Sequence, residues 1–449
     1  MNTTIIIIVI FVIGYSLIAL ENITKVNKTC IALLMYVVCW SVYMIAGNYD
    51  GEILSAFSRH LAETCETILF LMGAMTIVEV VDANGGFNFV TRWLNSHNPK
   101  VLLWKTVGLT FILSALLDNM TTAIVMTMVL KKLVRVPSQR ILLVCVVVIA
   151  ANSGGAFSPI GDVTTIMLWI KGCVTASGII TGLLLPSLVS VAVPALLVMP
   201  MLKDGGSDVS SVDGVAEEIL RPFDQLSRPS QFSRGARITI FLIGVGGLMS
   251  VPVFHNLTGL PPFVGVTGVL ALLWTITELI IRYDSKILNS DTTVRVASQM
   301  KKIDMATILF FLGILLTVGT LQETGTLSHM GHWLNDTFSN VYAVNALIGI
   351  ISSVIDNVPL VASAMGMYEI QPMGATEALQ MYQQDGEFWK LLAYCAGTGG
   401  SILIIGSAAG VVAMGLENIS FTWYVKHITP LVLAGYGAGL LTFWLMANS

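Results

Sequence analysis

The chain has 449 residues, of which 55% are hydrophobic and 11% charged, with a mean hydropathy of +0.80 and a formal net charge of −4. Soluble domains carry about 25% charged residues, so a soluble fold of this composition would expose far too much apolar surface. A disordered chain, a nucleic-acid binder and an ordinary cytosolic enzyme are excluded as first readings, which leaves a polytopic membrane protein.

The opening segment, 1–20, has no basic group and no small-residue cleavage pattern before Glu21, so it reads as a spanning helix rather than a removed signal. Crossing a bilayer takes about 20 mostly apolar residues. On that measure the spans are 3–20, 30–47, 67–83, 138–172, 174–201, 236–254, 260–282, 304–322, 387–414 and 420–447. Two apolar stretches, 104–134 and 338–366, do not fit simple spanning. Each carries a polar cluster in its middle, Asp118-Asn119 in one and Asp356-Asn357 in the other. They are expected to be re-entrant hairpins, each made of two half-helices meeting at a polar tip. Polar backbone at membrane depth is tolerated only where protein or an aqueous cavity covers it. Segments 138–172 and 387–414 contain Gly-rich interruptions and are expected to be broken helices. The segment 202–235, rich in Gly, Ser, Asp and Pro, reads as a cytoplasmic linker between residues 1–201 and 236–449. The six cysteines form no C-x-x-C pair and read as apolar packing residues.

Charge fixes the expected orientation. With the ends of the first hairpin in the cytoplasm, only Arg59, Lys171 and Lys390 of the 23 Lys and Arg fall outside. This is a strong positive-inside bias. The second hairpin then opens outward, beside Glu369, Glu377, Asp385 and Glu387, and both termini lie outside.

An internal repeat runs across the linker. The segment 68–86 matches 308–326, SALLDNMTT at 114–122 matches SSVIDNVPL at 352–360, and ANSGGAFSPIGD at 151–162 matches AGTGGSILIIGS at 396–407. The order of features is the same in both halves. An odd number of spans per half places the halves in opposite orientations, the signature of secondary transporters built from two inverted-topology repeats. The expected fold is therefore an all-α polytopic membrane protein with a re-entrant hairpin and a broken helix in each repeat.

Carboxylates within spanning segments cost about 2.5–3.5 kcal/mol or more and are usually functional. Asp118 and Asp356 each sit at a hairpin tip and are followed by Asn119 and Asn357; Thr121 and Thr122 lie one turn beyond Asp118. The Gly-rich breaks add Asn152, Ser153, Ser158, Asp162 and Thr164 in the first half, and Thr398, Ser401 and Ser407 in the second. These are hard oxygen ligands, suited to an alkali cation. The motifs hold three acids and no Lys or Arg, which favours a small cation over an anion. A carboxylate that binds either Na⁺ or H⁺ is sufficient for exchange without covalent chemistry or a cofactor. Glu79, at the end of span 67–83, reads either as a proton-handling group beside the site or as an interfacial helix end. His60 reads as an outer-side group, titrating in the physiological range or simply solvated.

At GAMTIVEVVDANGGF, LLDNMTTAIVM, ANSGGAFSPIGDVTTIMLW and IDNVPLVASAMGMY the chain resembles the NhaD-type sodium/proton antiporters of the ion-transporter superfamily. The resemblance covers roughly residues 30–445. It implies a scaffold domain, a mobile transport domain carrying both hairpins, elevator-type motion and a homodimer in a bacterial inner membrane. It also implies roles for Asp118, Asn119, Thr121, Asn152, Asp162, Thr164, Asp356 and Asn357. The expected activity is exchange of Na⁺, with Li⁺ as an alternative cation, for H⁺. A sodium-coupled carboxylate symporter of the same superfamily is the nearest alternative, although acids at both hairpin tips would repel a dicarboxylate. An intramembrane aspartyl protease is remote, since Pro159-Ile160-Gly161-Asp162 has Pro where such enzymes carry Gly, and no Tyr-Asp precedes an apolar run.

Overall fold

The computed structural model describes residues 3–19, 24–202, 233–283 and 295–448, apart from positions 49, 88, 95, 97, 339 and 373. Most of the expected linker 202–235, and residues 284–294, lie outside the described residues. The described chain is helical, and among the described residues nine helices are long and apolar enough to cross a membrane. Pro99–Leu116, the first part of the stretch expected to be re-entrant, is one of the nine, whereas the expected first span is a 17-residue helix shorter than that measure.

The first half contains helices Thr3–Ala19, Lys28–Ala46 and Gly51–Ala83, then hairpin arms Pro99–Leu116 and Asn119–Leu133. A broken helix follows, Pro137–Ala156 and Val163–Ile170, and Ala176–Val198 closes the half. The second half contains Arg234–Thr258, Pro262–Tyr283 and Met305–Glu323, then arms Val341–Ser352 and Asn357–Met367. Its broken helix is Glu387–Gly399 and Ala408–Glu417, and Thr429–Ala447 closes it. Short helices Phe89–Leu94, Val296–Met300, Thr326–Phe338 and Phe421–His427 join these elements.

Local chemistry sets the ends. Asn98 accepts from the Lys100 and Val101 N–H groups, and Pro99 occupies the first turn, where its missing N–H costs nothing. Asp304 likewise caps Met305–Glu323 through the N–H groups of Ala306 and Thr307. Both paired helices break where the sequence places Asp-Asn. The second broken helix opens at Gly400, whereas the first runs helically through Gly154-Gly155 and opens only at Phe157, before Pro159.

Two expected spans differ. The segment read as 67–83 is a helix of 33 residues starting at Gly51, about 50 Å long at 1.5 Å per residue. Asp50 caps it, and its polar first half buries a stripe of Ala56, His60, Thr64 and Thr67, so a hydropathy window misses that half. The segment read as 420–447 is two helices separated at Ile428, where Thr429-Pro430 starts the second. Proline has no N–H to continue a preceding helix.

Equivalent packing recurs in the two halves. Ser114 Oγ on the first hairpin donates to the Ala151 carbonyl at 2.5 Å, and Ser352 Oγ on the second donates to the Ala396 carbonyl at 2.9 Å. Gly154 packs so tightly against the hairpin backbone that an added Cβ would strike the Phe111 carbonyl, and Gly399 stands in the same relation to Gly349. Each half also holds the other at its edges. Arg140 Nε reaches Glu417 Oε2 at 2.7 Å, and the Asp385 carboxylate accepts from the Thr175 N–H and hydroxyl, both at 2.7 Å.

The Gly399 contact is backbone on backbone, so a methyl group has no side chain to push aside. Gly399→Ala is expected to destabilise the detergent-solubilised protein by about 1–3 kcal/mol. Gly415→Ala, where a Cβ meets nothing within 4 Å, should melt close to the parent in the same thermal-unfolding assay.

Candidate cation site

Four half-helices begin inside the bundle, and each needs acceptors for its free N–H groups. Asp118 Oδ1 accepts from the Thr121 N–H at 2.8 Å while Oδ2 accepts from the Thr121 hydroxyl at 2.6 Å. Asp162 Oδ1 accepts from the Thr164 N–H at 3.2 Å, and Asp356 Oδ1 from the Val358 N–H at 3.3 Å. At the fourth start Ser407 Oγ accepts from the Gly410 N–H at 3.2 Å. The three acids therefore serve as N-caps at the positive ends of the half-helices.

Asp162 is the meeting point of the two hairpins. Its Oδ2 accepts from Asn119 Nδ2 at 2.9 Å and from Asn357 Nδ2 at 3.3 Å, one amide from each tip. Asn119 Nδ2 also donates to Asn152 Oδ1 at 3.1 Å. Asn152, wholly buried, passes the network to the second half by donating to Ser401 Oγ and Ser407 Oγ, each at 2.8 Å. One connected set of polar groups thus joins both hairpin tips and both broken helices. Within it lie one carboxylate, three primary amides and two hydroxyls. The buried Thr122 hydroxyl, next to the first tip, has no protein partner. Among the described residues no three His, Cys, Asp or Glu side chains converge as a metal cluster. A cation here would therefore draw mainly on amide, hydroxyl and backbone oxygens around a single acid.

Other residues singled out in the sequence are placed less centrally. Ser153 Oγ accepts from Ser190 Oγ at 2.9 Å, tying the break to helix Ala176–Val198. Ser158 Oγ donates to the Ala115 carbonyl at 2.6 Å, and Thr165 Oγ1 to the Asp162 carbonyl at 2.9 Å. Thr398 Oγ1 donates to the Tyr394 carbonyl of its own helix at 2.6 Å. Glu79 pairs with Lys302 at 3.3 Å, outside the network.

His60 is not solvated. It is buried, with Nε2 2.9 Å from Glu323 Oε1, and the same oxygen accepts from Arg59 at 2.6 Å. Its ring packs against Gly319 and Trp40.

Two charged residues escaped the sequence reading, Lys28 beside the second tip and Glu417 at the far end of its half-helix. Lys28 Nζ lies 3.0 Å from Asp356 Oδ2, so the second tip does have a basic partner, brought from 328 residues away. Glu417, whose side chain is only 2% exposed, pairs with Arg140. A lone acid closing the apolar run AAGVVAMGLE was the available signal for Glu417.

Interrupted helices converging on a buried, oxygen-rich centre inside a multi-pass helical bundle are the build of a membrane transport protein. Residues 7–383 match a family described as citrate transporter (CitMHS). The chain is 43% identical over 440 residues to "Sodium/proton antiporter 1" of Arabidopsis thaliana, covering 98% of this chain and 72% of that protein. It is 40% identical to "Sodium/proton antiporter 2" of the same plant, covering 98% and 99%. It is 30% identical over 469 residues to "Na(+)/H(+) antiporter NhaD" of Vibrio cholerae, covering 98% and 91%. The chain belongs to the NhaD-type sodium/proton antiporters, within the wider citrate-transporter family.

Asn152 carries the network between the halves. Asn152→Ala strips partners from Asn119, Ser401 and Ser407 at once, and leaving buried polar groups unpaired costs about 1–3 kcal/mol each. A clear drop in the unfolding midpoint of the purified protein is expected, larger than that of Ser190→Ala, which removes a single hydrogen bond from Ser153.

Proposed function

We propose that the protein exchanges Na⁺, or Li⁺, for H⁺ across a bacterial inner membrane, with Asp118 and Asp162 as the acids for which cation and proton compete. The observation that carries this reading is Asp162 Oδ2, held between Asn119 and Asn357 from the two hairpin tips. Each of those amides has a carbonyl oxygen opposite its NH₂ group. Rotating either amide by half a turn replaces a donor with an acceptor. Donor-out, the pair suits an acid that accepts hydrogen bonds. Oxygen-in, the same residues become ligands for a hard cation. Asn152, Ser153, Thr121, Thr164 and Ser401 are the neighbouring oxygen donors, and Asp356 of the second tip enters through Lys28.

The relatives' names as sodium/proton antiporters support the choice of ions. The citrate-transporter description favours no anion in this reading, because Asp118 and Asp162, whose hydrogen-bond partners are neutral, repel a dicarboxylate.

In this reading residues 1–201 and 236–449 are two inverted repeats joined by a cytoplasmic linker at 202–235. The recurring Ser–carbonyl and Gly–backbone contacts support the repeat. Both hairpins and both broken helices, linked through Asn152, Arg140–Glu417 and Asp385–Thr175, form a transport body that moves as one against the remaining helices, in an elevator-type cycle within a homodimer. Both termini lie outside.

Asp118→Asn keeps the size of the side chain but removes its charge. It is expected to abolish Na⁺-driven proton flux in proteoliposomes while the protein still inserts and purifies normally. Retained flux in a well-folded Asp118→Asn protein would falsify the role of that acid.

Competition sets the sign of the pH dependence. A protonated carboxyl no longer attracts Na⁺, so apparent Na⁺ affinity should fall as pH falls. At high pH the supply of protons limits turnover, giving a maximum between the two regimes. An apparent Na⁺ affinity that is flat across pH would reject direct competition.

The orientation has its own check. In a background without the six native cysteines, Lys132→Cys should react with an impermeant thiol reagent only from the cytoplasm, and Gln380→Cys only from outside. Reaction of both from one side would overturn the inverted arrangement.

A further inference from the structure

Lys28 opens helix Lys28–Ala46, which packs beside Met305–Glu323 and is pinned there by a 2.9 Å bond from Thr29 Oγ1 to the Ala306 carbonyl. Its ammonium lies 4.4 Å from the centre of the Phe310 ring and 3.0 Å from Asp356 Oδ2. A cation over an aromatic face is held by the ring quadrupole, so Phe310 fixes the ammonium on the side facing the hairpin tip. From helix Thr3–Ala19, Tyr15 brings a buried hydroxyl without a hydrogen-bond partner into electrostatic reach of the same acid. Three helices outside the hairpin thus build one side of the Asp356 environment.

The three acids are engaged differently. Asp118 is held by Thr121, through an N–H and a hydroxyl. Asp162 is held by Asn119, Asn357 and the Thr164 N–H. These partners are neutral. Asp356 alone of the three forms an ion pair among the described residues, with one oxygen on the Val358 N–H and the other on Lys28. The two tips share their Asp-Asn sequence and the capping role of the acid, yet one carries net negative charge and the other is neutral as a pair.

We propose that Lys28 is the resident counter-cation of Asp356. Its ammonium occupies the place that a transported cation takes at the other acids. The second tip therefore supplies Asn357 to the shared centre but no free acid to the exchange. Lys28 acts as a specificity-determining residue, because it sets how many acids are open to Na⁺ and H⁺ in each cycle. This rests on the exchange reading above.

Removing the ammonium opens Asp356. In Lys28→Met the charge moved per Na⁺, read from reversal potentials in proteoliposomes, is expected to change. The Na⁺ concentration for half-maximal exchange should shift by about tenfold or more, the effect of opening one further ligand acid. Lys28→Arg keeps a cation at the tip and should hold the parent ratio. The double variant Lys28→Met with Asp356→Asn removes both charges and should restore that ratio, which a merely structural lysine would not do. An unchanged ratio in Lys28→Met, or a double variant that fails to restore it, overturns the proposal. A second readout separates this from the exchange reading. Ligand binding to the folded state raises the melting temperature, so the Na⁺-induced shift of the purified protein should be larger in Lys28→Met than in the parent. A parent protein without Na⁺/H⁺ exchange refutes the function proposed above, while the melting shift still decides Lys28: equal shifts in parent and variant reject the counter-cation.

Discussion

A helix interrupted inside a bilayer exposes backbone N–H groups that no water can satisfy, and each unsatisfied group costs several kcal/mol. The protein meets this constraint four times, at Asp118, Asp162, Asp356 and Ser407, each accepting from the N–H groups of the half-helix that follows it. The same residues also determine the charge of the centre. A helix start is partially positive and on its own would repel a cation. An acid at that position overturns the balance and makes the break attractive to one. In the proposed exchanger, capping and cation handling are thus one requirement met by one side chain, and serine at the fourth break keeps the total charge down.

The centre then needs flexibility in hydrogen bonding more than in backbone. Asn119, Asn152 and Asn357 are primary amides, able to present either donors or an acceptor; Asn119 and Asn357 hold Asp162, and Asn152 holds Asn119. Neutral hydroxyls could not both donate two hydrogen bonds and offer a carbonyl oxygen. Close backbone contact at Gly154 and Gly399 keeps the hairpins and broken helices in register, so the amides meet without bending of the helices.

The helix interruptions beside Asp118-Asn119 and Asp356-Asn357, and those at 157–162 and 400–407, were legible in the sequence because Asp-Asn, Gly-Gly and Pro stand out against apolar runs. Partners between distant elements were not. Lys28 has the same local context as any basic residue flanking a span, and nothing near it points to Asp356, 328 residues away. His60 sits among Glu52, Arg59, Glu63 and Glu66, a polar neighbourhood that reads as solvent-exposed. The helical spacing of Ala56, His60, Thr64 and Thr67 marked the buried face, but its apolar partner, Gly319 on Met305–Glu323, belongs to the other half. Hydropathy records composition along one helix and is blind to a neighbour that buries it.

In the proposed inverted arrangement, the two edge contacts suit a near-symmetric framework to an asymmetric membrane. Arg140 precedes the body of the first broken helix and grips Glu417 at the end of the second. Asp385 occupies the corresponding place before the second broken helix and grips Thr175, just after the first. The positions correspond but the charge is inverted. In the proposed orientation the arginine lies with the cytoplasmic excess of Lys and Arg and the aspartate lies outside, so each clasp has the sign its surface requires. A strictly duplicated contact would place one of these charges on the wrong side. The halves thus keep the geometry of the contact and exchange its chemistry. The clasps lie at opposite ends of the broken helices, with the Asn152 network between them. The Lys28–Asp356 pair differs in kind, since it joins the hairpin tip to helices beyond that connected set. Its lysine, a point charge on a flexible four-carbon stem, tolerates small displacements of the tip that would break the paired hydrogen bonds of a rigid fork.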